Sequence, residues 1–313
     1  MPPSGNGLGE ATSAHDTGLD ALETEAGGTP SADYEVRSTR ELVELMNRED
    51  RTVPDAVRSA ADAIATLVDA VADRLGRGGR LLYVGAGSSG RIAAVDASEC
   101  ESTFSTPPGT VHALVAGGLA ASPLEQEAAE DDRVAGCAEL EALRPGPDDA
   151  VVGVSASGRT PYVLGAIEAA SAAGALTACV VSVEGSELAR LSDHAIAVVV
   201  GPEFIAGSTR LKAGTAQKLV LNMLSTLSMV RLGKTYGNLM VDVAATNEKL
   251  RARVRRIVAA ATGASGADVE DALDAAHGDA KVAIVSLLTG VDAAEAGRRL
   301  DAAGRSIHGA LGR

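Results

Sequence analysis

Two serine- and glycine-rich turns, each directly after a short apolar run, carry residue types suited to holding an anion. The first, Val84-Gly85-Ala86-Gly87-Ser88-Ser89-Gly90, follows Arg80-Leu81-Leu82-Tyr83; the second, Ser155-Ala156-Ser157-Gly158-Arg159-Thr160-Pro161, follows Val151-Val152-Gly153-Val154. Each turn leads into a stretch of helical apolar spacing. Backbone amides at a helix N-terminus point outward with partial positive charge and accept anions. The hydroxyls of Ser88, Ser89, Ser155, Ser157 and Thr160 add neutral donors, and Gly87 and Gly158 lie in the same turns. The pattern predicts a site for a monophosphate, of the sugar-phosphate class.

Nucleotide loops fit less well. A Walker loop ends in Gly-Lys-Ser/Thr, and neither turn contains lysine. Gly85-Ala86-Gly87-Ser88-Ser89-Gly90 matches Gly-x-Gly-x-x-Gly literally. A dinucleotide site also needs an acidic residue at the end of the next strand, about twenty residues on. The next strand-like run, beginning at Val111, ends at Gly117-Gly118. A strand–helix turn with no ligand remains the alternative for either turn alone; two in one domain favour a site.

Carboxylates follow the first turn. Asp96-Ala97-Ser98-Glu99-Cys100 comes first, and Glu127, Glu130, Asp131 and Asp132 lie on the next predicted helix. Acidic residues on helices are commonly solvated, so spacing alone selects neither Glu99 nor Glu130.

The chain has 313 residues, 46% apolar and 22% charged, which suits a packed globular core. Alanine and valine must build it, because there is no tryptophan and only two phenylalanines. A net charge of −14 disfavours nucleic acid, whose binding needs basic patches. An anionic ligand must therefore be held locally, by loop amides and hydroxyls. No apolar run reaches the about 18 residues of a membrane span, and the start lacks the basic and apolar segments of a signal peptide. Cys100, Cys137 and Cys179 are unpaired by spacing, and the five histidines are scattered. This reads as reduced thiols in a cytoplasm, with no metal site expected.

A βα alternation positions the turns. Strands are predicted at 80–84, 111–116, 150–155, 176–182 and 194–200, and helices at 88–97, 122–142, 160–173, 186–191 and 212–234. Ser38 to Glu41 reads as a capping box, and Thr52 with Pro54 as a second helix start whose apolar spacing runs to Leu75. Near-continuous apolar strands such as Leu176-Thr177-Ala178-Cys179-Val180-Val181 predict a parallel sheet buried on both faces. Ligands in such sheets sit beyond the carboxyl ends of the strands, where both turns fall. After Lys234 the strand signal stops. Four or five helices follow to about residue 311, with breaks near Gly263, Gly278 and Gly290 and a turn at Gly304.

Several long stretches resemble the N-acetylmuramic acid 6-phosphate etherases, a family built on a sugar isomerase (SIS) domain. They are Glu49-Asp50-Arg51-Thr52-Val53-Pro54, Leu82 to Arg91, Asp96-Ala97-Ser98-Glu99-Cys100 and Ser155 to Tyr162. Further on come Gly207-Ser208-Thr209-Arg210-Leu211-Lys212, continuing to Lys218, and Gly237-Asn238-Leu239-Met240-Val241-Asp242. The resemblance covers about residue 22 to the C-terminus. It implies an α/β fold, a three-layer αβα sandwich on a mainly parallel five-stranded sheet with a small C-terminal helical domain. The corresponding division is a disordered tail at 1–21, a helical arm at 22–52, the SIS domain at 53–236, a connecting helix at 237–262 and a UBA-like helical domain at 263–313.

The resemblance further implies a cytoplasmic, cofactor-free homodimer that converts N-acetylmuramic acid 6-phosphate and water into N-acetylglucosamine 6-phosphate and D-lactate. It makes Glu99 the acid that protonates the departing lactate oxygen and Glu130 the second catalytic carboxylate. Lys212 and Lys218 read first as surface lysines on an amphipathic helix; Ser208 and Lys212, in a matching turn, are the alternative candidates to cover the sugar. One departure stands out. Glu101-Ser102-Thr103-Phe104-Ser105-Thr106 precedes Pro107-Pro108, where the family has prolines after the Glu-Cys pair, so an altered loop is expected beside Glu99.

The chemistry requires two carboxyl groups in opposite protonation states. In the ring-opened aldehyde a base removes the C2 proton while an acid protonates the oxygen leaving C3. Glu130 is the preferred base, with the opposite assignment open. If one straight helix joined Ser89 to Glu99, ten residues would separate them by about 15 Å, too far for one hexose phosphate. Either the helix ends early and the chain folds back, or Glu99 serves the partner's site. Two other functions keep the serine turns: a sugar-phosphate-sensing regulator that binds without chemistry, and an aldose–ketose isomerase that needs no leaving-group acid.

Overall fold

The computed structural model describes residues 34–243 and 248–312; the predicted tail at 1–21 lies outside them. A short arm leads in through α1 (Thr39–Asp50), capped by the predicted reciprocal Ser38–Glu41 box. The run expected as one helix to Leu75 is two, α2 (Val53–Ser59) and α3 (Ala61–Gly76), divided at Ala60.

The alternation follows as β1 (Leu81–Gly85), α4 (Gly87–Phe104), β2 (Val111–Val115), α5 (Pro123–Glu130), α6 (Arg133–Ala142) and β3 (Ala150–Val154). It continues through α7 (Pro161–Ala172), β4 (Leu176–Val181), α8 (Glu187–Leu191), β5 (His194–Ala197) and α9 (Lys212–Arg231). The five strands form one parallel sheet in the order β2-β1-β3-β4-β5. Alternate residues feed two cores. Leu81, Tyr83, Val152, Val154 and Val180 pack under α2, α3, α4 and α9. Leu82, Val84, Val151, Cys179 and Val181 pack under α6, α7 and α8. This is the three-layer αβα arrangement expected.

Three local expectations are corrected. The helix predicted at 88–97 runs unbroken to Phe104 and ends on Ser105 in the left-handed region at φ 48°. Glu101 to Phe104 therefore extend the helix instead of forming a loop beside Glu99. The helix predicted at 122–142 breaks between α5 and α6, where the Asp132 carboxylate accepts from Ala135 N at 2.8 Å and caps the second segment. Strand structure also persists past Lys234, as an antiparallel pair of β6 (Thr235–Tyr236) and β7 (Leu239–Met240).

The C-terminal helices are α10 (Glu248–Thr262), α11 (Gly266–Ala275), α12 (Ala280–Thr289), α13 (Ala293–Ala302) and α14 (Ile307–Ala310), with breaks at the predicted glycines. They share a separate core with Val241 and Val243. Asp242 anchors them, accepting from Lys234 Nζ and from the buried Lys281 Nζ, both at 2.9 Å. Among the described residues no helix is long and apolar enough to cross a membrane.

Candidate active site

The sheet order places the two turns side by side. β1 and β3 are neighbours with Gly85 opposite Val154, so Ala86 and Ser155 leave the same carboxyl edge on adjacent strands. From there α4 departs over one face and α7 over the other. This is the switch point at which open α/β sheets bind ligands. Both helices begin without a side-chain cap, at Ala86 and Thr160, so no side chain at the cap competes for the first amides of α4, or for those that follow Pro161, itself without an N–H, at the start of α7.

Each turn needs its glycines. Gly87 and Gly158 have φ of 50° and 64°. A Cβ on Gly90 would lie 2.6 Å from the Gly85 carbonyl oxygen, inside contact distance. Gly90→Ala is therefore expected to lower the unfolding free energy by about 1–3 kcal/mol, measured by chemical denaturation; an unchanged midpoint would contradict the close approach.

Within the second turn, Ser155 Oγ lies 2.9 Å from Thr160 Oγ1 and accepts from Gly158 N at 3.1 Å. Ser155 and Thr160 are buried, and these contacts fix the shape of the loop. Ser88, Ser89 and Ser157 are half-buried at its open edge. Thr160 Oγ1 also donates to Glu130 Oε1 at 3.4 Å, which brings Glu130, at the end of α5, onto the second turn. Burial raises the Glu130 carboxyl above its ordinary value, the Thr160 hydrogen bond lowers it, and Asp131 and Glu127 raise it further. A base with raised affinity for protons suits C–H abstraction near neutral pH.

Residues that the sequence reading passed over hold α5 in place. Arg91, one turn into α4, hydrogen-bonds Gln126 Oε1, and the Gln126 amide donates to Gly118 O at 3.0 Å. Glu203 is buried and accepts from Lys212 N at 2.8 Å and Ala213 N at 3.0 Å, capping α9. Lys212 itself is buried, with Nζ 3.1 Å from Glu49 Oε2. Ser208 is half-buried in the turn before α9, its N–H on Ile205 O at 3.0 Å.

Glu99 stands apart. It is exposed on the outer face of α4, ten residues beyond Ser89 along a continuous helix, or about 15 Å. The alternative in which α4 ends early is thereby removed. Glu99 borders a hollow of about 220 Å³ between α4 and α9, with Lys218, Asn222 and Thr226 on its other wall. Below it Asp96 accepts from Tyr83 OH and Ser225 Oγ, both at 3.0 Å. Burial raises the Asp96 carboxyl and pushes the adjacent Cys100 thiol up to about 12, which leaves that thiol unreactive.

The glucokinase regulatory protein N-terminal SIS domain family matches residues 61–171, and the SIS domain family matches residues 141–227. The N-acetylmuramic acid 6-phosphate etherase of Rubrobacter xylanophilus is 57% identical over 95% of this chain and 98% of its own. That of Streptomyces avermitilis is 55% identical over 94% of both chains. The chain belongs to the N-acetylmuramic acid 6-phosphate etherase family. Etherases of this family are carbon–oxygen lyases, and the relationship runs through the C-terminal helices as well as the sheet. The Mycolicibacterium smegmatis etherase, at 51% identity, likewise aligns over 94% of this chain and 99% of its own.

Proposed function

We propose that this protein cleaves the D-lactyl ether of N-acetylmuramic acid 6-phosphate, giving N-acetylglucosamine 6-phosphate and D-lactate. The observation that carries the reading is the etherase relationship across 95% of the chain. The paired turns at the carboxyl edge, with Glu130 held on one of them, support it.

The phosphate sits across the N-termini of α4 and α7, on their amides and the hydroxyls of Ser88, Ser89 and Ser157. Glu130 removes the C2 proton of the open-chain aldehyde. Electrons shift to form the C2–C3 double bond, the C3–O bond breaks, and Glu99 gives its proton to the departing lactate oxygen. Water then adds to C3, losing a proton to Glu99, while Glu130 returns its proton to C2. The balance is one ether and one water for one alcohol and one hydroxy acid.

Because Glu99 lies about 15 Å from its own phosphate turn, it serves the site of a second copy in a homodimer, with Ser208 flanking the sugar and the buried, ion-paired Lys212 fixing the start of α9 behind it. Exposed apolar residues support that face as the interface: Met223, Leu227 and Val230 form a stripe on α9, and Val95 is exposed one turn before Glu99 on α4. The reading places the enzyme in the cytoplasm, where its thiols stay reduced.

Release of D-lactate from the purified chain tests the reading. The acid limb of kcat/KM, along which Glu130 gains a proton and ceases to be a base, is expected above pH 4.5, the ordinary value for glutamate. Thr160→Val removes the hydrogen bond that lowers the Glu130 carboxyl, so the limb moves higher still. A limb at or below pH 4.5 in both proteins would contradict the base role. The match to the regulatory protein family favours a second reading, binding without chemistry. It predicts saturable uptake of a hexosamine phosphate with no lactate formed.

A further inference from the structure

The hollow beside Glu99 has a feature that the acid role leaves unused. Its lining contains one cation among the described residues, Lys218. The other lysines near the sheet and its C-terminal attachment are committed: Lys212, Lys234 and Lys281 each sit 2.9–3.1 Å from a carboxylate oxygen. Lys218 is instead exposed and hydrogen-bonded to the Asn222 side chain at 3.3 Å. With the Asn222 amide oriented to satisfy both ends, its oxygen accepts from Lys218 at 3.2 Å and its nitrogen donates to Asp96 Oδ1 at 3.1 Å. Asp96 is already occupied by Tyr83 and Ser225. The network thus holds the Lys218 ammonium at the mouth of the hollow, where its charge favours the ionised Asp96 carboxyl across Asn222 but makes no direct ion pair with it.

The group that leaves in the proposed reaction is an anion. In a lactyl ether the carboxylate carbon is one bond removed from the carbon bearing the ether oxygen. Whatever protonates that oxygen must therefore lie within a few ångströms of whatever binds the carboxylate. Glu99 and Lys218 border the same hollow, and about 220 Å³ is ample for a three-carbon acid. We infer that this hollow is the leaving-group half of the site and that Lys218 binds the lactyl carboxylate, with the Thr226 hydroxyl as a neutral neighbour. The inference rests on the lyase reading and deepens it. It explains how the site would distinguish an ether-bearing sugar phosphate from its own product, which has a hydroxyl at C3. It also makes Lys218 a substrate-binding residue, acting with Glu99 on the lactyl end of a substrate whose phosphate the other subunit holds.

The test compares two substrates: N-acetylmuramic acid 6-phosphate, and the same compound with the lactyl carboxylate converted to a carboxamide. The wild type is expected to prefer the acid in kcat/KM by about 10- to 100-fold, the effect of one hydrogen bond to a charged group. Lys218→Met and Lys218→Gln should bring that preference close to one, while Lys218→Arg keeps most of it. D-lactate should inhibit the wild type as a product and lose that effect in Lys218→Met. A purely structural lysine would lower both rates together, so an unchanged preference in Lys218→Met overturns the assignment while leaving the lyase reading intact. A wild-type enzyme that releases neither lactate nor lactamide overturns both.

Discussion

Glutamine at position 130 is expected to reduce D-lactate release by about 10²- to 10⁴-fold, the range for removing a positioned general base. The more informative effect is on hydrogen exchange. The C2 proton leaves in the first step, so Glu130→Gln should also stop exchange of C2 hydrogen with deuterated solvent. Glu99→Gln should lose lactate release to a similar extent yet retain C2 exchange, because proton removal does not require the leaving-group acid. Nuclear magnetic resonance of the sugar in deuterium oxide reads both. Exchange surviving in Glu130→Gln and lost in Glu99→Gln would reverse the two roles. The structure favours the assignment given, because Glu130 is half-buried on the second turn and burial raises its carboxyl.

Mixing two inactive variants is expected to restore activity. Ser88→Ala combined with Ser157→Ala removes two open-edge hydroxyls from the phosphate site and should lower kcat/KM by about 100-fold or more. Ser155 is avoided because its hydroxyl shapes the turn through Gly158 and Thr160. If each site joins the phosphate turns of one copy to Glu99 of the other, a heterodimer of this variant with Glu99→Gln contains one intact site and one doubly altered site. Random exchange of subunits in a two-fold dimer then recovers about a quarter of the wild-type sites. Activity that never exceeds the average of the two parents after denaturation and co-refolding would place Glu99 and the turns of one copy in the same site.

Much of this architecture was legible in the chain. The strands are short apolar runs punctuated by glycine and serine, and burial on both faces leaves no competing helical periodicity in Leu176 to Val181. The serine turns could be read because an uncapped helix start after a strand has a local signature. What escaped the reading was decided by contacts distant in sequence. The continuation of α4 through Glu101, Ser102 and Thr103 follows from Cys100 and Phe104 packing into the core below the sheet, which a run of polar residues does not announce. The break at Asp131–Asp132 rests on an aspartate that caps the next helix, a role that its acidic neighbours on the predicted helix do not mark. The Asp96 network joins residues up to 129 positions apart, and Lys212 reaches Glu49 across 163. No pattern within one window carries such pairs. Glu99 and Glu130 were singled out by resemblance. The structure adds that only Glu130 reaches the second serine turn of its own chain.

The most direct measurement follows lactate release from N-acetylmuramic acid 6-phosphate in water enriched in oxygen-18. Elimination followed by rehydration predicts one labelled oxygen at C3 of the sugar and none in the D-lactate. Label in the lactate hydroxyl, with an unlabelled sugar, would mean that the ether breaks on the lactyl side, and would contradict both the carbonyl-assisted elimination and the roles given to the two glutamates.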